Sequence, residues 1–253
     1  MKAKKIMFFV ITLAGILAAV SAKAQGILGT KHNLSTSGTG VHTINGTNEV
    51  CVFCHTPHGA DTGVAAPLWN RAQTAATFTV YSSATLDSLP NQPTGTSLAC
   101  LSCHDGTIAF DAIRNLPGSG GYNPAAPSAG WIFSGGSNTM SSISIANLGT
   151  DLRNDHPISM VYADAKSPSS SSANQSAGFR PVVTTGDKKC VGAGISDCNS
   201  PNALPLSSAT IGGPADYVQC TSCHDPHRSD TPTFLRKSNA DSALCLTCHI
   251  KDG

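Results

Sequence analysis

Hydrophobic residues are spread unevenly along this chain. One continuous apolar run, Ile6 to Val20, stands near the start, behind Lys2, Lys4 and Lys5 and ahead of Ala22-Lys23-Ala24. Basic, apolar and small-residue segments in that order predict a secretory signal peptide over residues 1–24. The run is short for a membrane span, and no later segment is apolar enough to be one, so a mature chain of residues 25–253 without a membrane span is expected. Beyond Ala24 the pattern thins out. Few stripes recur at the helical period, and strict alternation is confined to short runs. Two of these, Phe179 to Thr184 and Ala209 to Ile211, predict a small hairpin. The fold class expected is mostly irregular, with short α-helices and few short strands.

Composition explains the weak pattern. Only 6% of residues are aromatic and 12% charged, with 24 glycines and 15 prolines. A polypeptide this dilute in apolar side chains would ordinarily remain disordered. What changes the picture is the cysteines. Eight of the ten lie in four copies of Cys-x-x-Cys-His: Cys51-Val-Phe-Cys54-His55, Cys100-Leu-Ser-Cys103-His104, Cys220-Thr-Ser-Cys223-His224 and Cys245-Leu-Thr-Cys248-His249. A lone Cys-x-x-Cys fits zinc, a redox disulfide or chance. Four copies that all run on into His fit covalent haem c, the cysteines forming thioethers and the His ligating iron. Four haems would supply the missing core, with short helices at or after each motif. Such attachment takes place outside the cytoplasm, so an exported protein, periplasmic or extracellular, is expected. There Cys190 and Cys198 are expected to pair as a disulfide.

The motifs form two related pairs. Cys51-Val-Phe-Cys-His-Thr-Pro-His58 parallels Cys220-Thr-Ser-Cys-His-Asp-Pro-His227, and each is followed by a second motif after Leu or Ala. The organisation is a haem pair over 51–104, a spacer over 105–219 and a haem pair over 220–249. After the proximal ligands His55, His104, His224 and His249, five histidines remain. His32, His58, His156 and His227 are the expected distal ligands, with His42, in a Gly/Ser/Thr-rich stretch, a weaker candidate. Trans ligands approach iron from opposite faces, so His58 and His227 should ligate haems other than those bound beside them. Asp155 is expected to orient the His156 ring. Six-coordinate iron of this kind passes single electrons and leaves no open face for substrate, so no catalytic residue is assigned. A reductase with one open-face haem is the alternative.

Charge adds little. Loss of Lys2, Lys4, Lys5 and Lys23 with the leader leaves 12 basic against 15 acidic residues. No basic stripe suggests a nucleic-acid partner. Residues 117–136 read as a Gly/Pro/Ser-rich connection with Trp131 and Phe133 as anchors, and 165–177 as an exposed serine-rich loop.

The paired motifs resemble the doubled CXXCH motif of multihaem cytochromes from metal-reducing and sulfate-reducing bacteria. Lys31-His32-Asn33-Leu34-Ser35, Pro67-Leu68-Trp69-Asn70-Arg71, Cys103-His104-Asp105-Gly106-Thr107 and Asn154-Asp155-His156-Pro157-Ile158-Ser159 are similar to segments of its tetrahaem members. Some of these are secreted and polymerise into conducting extracellular filaments. The resemblance implies redox partner proteins or extracellular acceptors. It also implies a homopolymer in which His32 or His42 completes a haem of the neighbouring subunit. A discrete carrier fits the same residues.

Overall fold

The computed structural model describes residues 26–44, 47–116, 138–162 and 178–250. The expected signal peptide, Trp131, Phe133 and the expected serine-rich loop lie outside them. Regular structure is sparse and gathers at the motifs. Helix α1 (Gly95–His104) contains the second motif; one-turn helices α2 (Cys220–Cys223) and α3 (Cys245–Cys248) contain the third and fourth; a 3-10 turn (Cys51–Phe53) opens the first. No described helix is long and apolar enough to cross a membrane.

Local chemistry sets these elements. Gly95 starts α1 at φ +53°, where a Cβ would meet the Ser208 carbonyl oxygen at 2.4 Å, so only glycine fits. The buried face of α1 carries Ser97, Ala99, Leu101 and Ser102. Its small residues let α2 approach closely: Cys220 N–H donates to Ser97 Oγ at 3.0 Å, and the Thr96 and Thr221 hydroxyls meet at 2.6 Å. Four residues are too few for a stable helix alone. At α2 a reciprocal cap between Gln219 and Ser222 satisfies the first turn. These contacts join the two motif pairs.

Two small antiparallel sheets complete the frame. Strand β1 (Met160–Val161) pairs with β5 (Tyr217–Val218), and β2 (Val182–Thr185) pairs with β3 (Lys188–Val191), which pairs with β4 (Leu204–Pro205). The expected hairpin partner of the Phe179–Thr184 run is therefore wrong. Residues 209–211 lie in a turn, and Lys188–Val191 takes the place beside β2. Gly186, at φ +58°, closes the two-residue turn between β2 and β3, and a local hairpin closes at less entropic cost than a distant one.

Cys190 on β3 is bonded to Cys198, with Cα atoms 5.6 Å apart. A loop this short is worth roughly 2–3 kcal/mol by chain entropy. Replacing Cys198 by Ser should lower stability by about that amount, read as a lower chemical-denaturation midpoint for the haem-loaded chain.

Apolar side chains gather in four separate clusters. They centre on Ile44, Phe53 and Phe110; on Tyr162, Val191 and Leu206; on Val64, Trp69 and Ala99; and on Phe78, Leu101 and Leu152. Motif cysteines pack at their borders: Cys54 touches two clusters, Cys103 one and Cys248 another.

Candidate haem-attachment sites

Each motif is wound into one turn. The His N–H donates to the carbonyl of the first cysteine at 2.8 Å in the first motif and 2.9 Å in the third and fourth, while α1 carries the second. Residues four apart share one helical face, so the turn turns a sequence spacing into a shared side for two thiols and an imidazole. The next bond fixes the ring. Nδ1 of His55, His104 and His224 lies 2.7 Å from the carbonyl oxygens of Pro67, Ala146 and Thr233 respectively. A carbonyl only accepts, so Nδ1 carries the proton and Nε2 keeps its lone pair for a metal.

Three of the four motif histidines face a second imidazole. Centroids are 6.1 Å apart for His55 and His227, 6.0 Å for His104 and His32, and 6.4 Å for His249 and His156. Two metal–imidazole bonds of about 2 Å, with the nitrogen-to-centre distance on either side, require roughly that separation for one metal held between two rings. Burial, then neighbouring His104, brings the His32 pKa down to about 4. Burial likewise lowers His104, and burial followed by His156 lowers His249. The rings stay neutral, the form that ligates.

The second imidazoles are held by different means. His32 stacks on Phe234 with centroids 4.4 Å apart, and Asp225 Oδ1 lies 3.4 Å from His227 Nδ1. For His156 the expected Asp155 contact is replaced: Nδ1 lies 2.9 Å from the Pro157 carbonyl oxygen, because the local turn puts that acceptor within reach. His42 packs against Phe110 at 4.6 Å. His58 is exposed. Among the described ring contacts, none places an imidazole opposite His224.

The thiols, which stand where thioether sulfurs would be, form a spatial series in chain order. Burial pushes Cys54 up to about 12, with Cys103 the next contributor. Cys100 and Cys220 hydrogen-bond to each other, which holds Cys100 well above the ordinary thiol range and Cys220 below it. Burial raises Cys223, with Cys220 and Cys245 adding to it. First motif therefore neighbours second, second neighbours third, and third neighbours fourth.

These residues fit haem c. Among the described residues no group of three or more His, Cys, Asp or Glu is placed to hold a bare metal ion. Two buried ring nitrogens, His42 Nδ1 and Trp69 Nε1, lack a hydrogen-bond partner. An unmade buried bond costs about 1–3 kcal/mol; a cofactor bearing carboxylates could satisfy the indole N–H beside His55.

Sequence reasoning missed a second half of the repeat. Residues 67–71 run back along the first motif, Thr56 N–H donating to Leu68 O and Asn70 N–H to Cys54 O, each at 2.9 Å. Residues 233–237 do the same along the third: Asp225 N–H donates to Phe234 O and Arg236 N–H to Cys223 O, each at 2.8 Å. Leu68 and Phe234 both adopt positive φ, 52° and 61°. Even the side-chain bonds correspond: Asn70 Nδ2 donates to Val52 O at 2.6 Å, Arg236 Nε to Thr221 O at 2.7 Å. The available signal was a proline followed within a few residues by Arg in both segments.

Residues 213–253 match the family model described as the doubled CXXCH motif. No curated protein matches the chain. The matched segment contains the third and fourth motifs, and it points to covalent haem c and to electron transfer by a c-type cytochrome. A carrier without substrate chemistry of its own is compatible with it.

Proposed function

We propose that this protein is an exported electron carrier with one haem c at each of its four motifs, and that its copies join head to tail into a conducting chain. The observation that carries electron transfer is the set of three imidazole pairs at 6.0–6.4 Å. Bound haem would supply one-electron ferric/ferrous chemistry, and His55 with His227, His104 with His32 and His249 with His156 would hold it in a form suited to electron transfer at comparatively low potential. The chain aims the Nε2 atoms of His55, His104 and His156 with backbone carbonyls and brings successive attachment points side by side. Redox proteins or extracellular acceptors are the partners that such a carrier serves.

The internal repeat supports the joining of copies. His227, from the second pair, faces His55 of the first pair. His224 is the repeat equivalent of His55, and His58 is the equivalent of His227. Continuing the pattern by one unit places His58 of a second copy opposite His224. His32 is not available for that role, since it faces His104 within its own chain. A second reading, a discrete carrier or a reductase with an open-face haem, is favoured by the same unmatched His224.

His58→Ala separates them. The head-to-tail reading expects the variant to stay monomeric, with one haem high-spin in the ferric optical spectrum, while the wild type forms filaments under the electron microscope with all haems low-spin. A variant that still assembles with every haem low-spin sinks that reading. A wild type that stays monomeric with one cyanide-binding haem favours the reductase. Intact mass of the purified chain counts the haems independently.

A further inference from the structure

Arg71 is 1% exposed, yet it carries a permanent charge. Its Nε donates to Ser102 Oγ at 3.2 Å, Nη1 to Phe110 O at 2.8 Å, and Nη2 to Ala109 O at 2.7 Å and Ser102 O at 3.3 Å. Every acceptor is neutral. Among the described ion pairs none includes Arg71. A buried cation without a counter-charge is expensive, so its retention at this place has to be explained.

The second pair contains the same device in other residues. Asn70 and Arg236 correspond, so the following residues, Arg71 and Lys237, correspond as well. Lys237 Nζ donates to Thr247 Oγ1 at 3.2 Å. Thr247 holds in Cys245–Cys248 the place of Ser102 in Cys100–Cys103. Both hydroxyls are tied to the backbone one turn earlier, Ser102 to Ala99 O at 2.7 Å and Thr247 to Ala243 O at 2.8 Å. In each pair a cation on the returning segment is thus docked onto the residue before the last cysteine of the other motif.

We propose that Arg71 and Lys237 raise the reduction potential of the haem pair within which each lies, Arg71 more strongly. The inference rests on the covalent-haem reading above. When a ferric iron takes one electron from a donor and becomes ferrous, its site gains one negative charge. A fixed cation nearby favours that product, and the guanidinium keeps its proton throughout, so no proton accompanies the electron. Charges act more strongly in a dry interior than in water. Arg71 is buried, whereas Lys237 is only half-buried and screened. Two further cations flank the second pair: Arg236 is matched by Asp225 at 3.2 Å, while Arg180 Nε donates to the Leu246 carbonyl oxygen at 2.8 Å inside the fourth motif. The larger single-residue effect therefore falls on the first pair.

The test is an optical redox titration of the haem-loaded protein as Arg71→Gln, Arg71→Lys and Lys237→Gln, with intact mass confirming haem number in each. For Arg71→Gln the ferrous-to-ferric ratio of two haems should fall about tenfold at fixed potential, about 59 mV for a one-electron couple. Arg71→Lys should restore the wild-type midpoints, which a purely shape-dependent role would not do. Lys237→Gln should lower the other two haems by less. Full haem loading with unmoved midpoints in Arg71→Gln and Lys237→Gln overturns the inference. If Arg71→Gln does not mature, Lys237→Gln at its half-buried position decides alone, unmoved midpoints again overturning it. Absence of haem from the wild type would instead overturn the electron-transfer reading.

Discussion

Replacing His227 with Ala should leave the haem at His55 five-coordinate: the ferric spectrum gains a high-spin band, and cyanide binds and removes it. The effect should be all-or-none for that haem and absent from those at His104 and His249, whose second imidazoles come from His32 and His156. The prediction is sharp because His227 contributes little else. Its side chain is 59% exposed, so truncation leaves no core cavity, and its ring contacts are to His55 and to Asp225. Loss of the second imidazole would also open a face to small molecules, turning a site for electron passage into one for binding. An unchanged low-spin spectrum in His227→Ala would show that the His55 iron draws its second ligand from elsewhere.

The second large effect concerns folding. A chain with all eight motif cysteines changed to Ala should be unfolded, with a coil-like circular dichroism spectrum, no cooperative melt and rapid proteolysis, whereas the haem-loaded chain resists. Ordering each residue costs about 1–2 kcal/mol in backbone entropy. Against that cost the described residues offer sixteen buried hydrophobic side chains split among four clusters and nearby positions. The helices at the third and fourth motifs are a single turn each, below the length at which helices persist alone. Three of the clusters have motif cysteines at their borders, where attached porphyrin would extend them into a common core. A cooperative melt of the cysteine-free chain would overturn this account.

What could be read from the sequence follows from the range of the interactions. The motifs are legible because thioether and iron chemistry require two thiols and an imidazole on one turn, a local demand that leaves a local pattern. That His227 belongs opposite His55 rather than His224 is only half legible. Ring closure excludes the neighbouring His, but the choice among the others depends on how α1 and α2 meet through Thr96, Ser97 and Thr221, which are small polar residues with no distinctive pattern. The returning segments escaped notice for a related reason. Their defining bonds are backbone N–H to carbonyl, indifferent to side chains, so Asn70 and Arg236 do the same work while looking unrelated. The misplaced hairpin partner is the opposite case: Lys188 and Lys189 hide a strand that Gly186 makes almost obligatory.

The pairing of His55 with His227 also bears on how the protein is made. A polypeptide made amino end first presents Cys51, Cys54 and His55 long before His227. A haem held at the first motif would thus wait with one face bare until His227 has been made. Closure would then come from the second pair of motifs, and a chain cut short anywhere between His55 and His227 would leave a haem at His55 never closed.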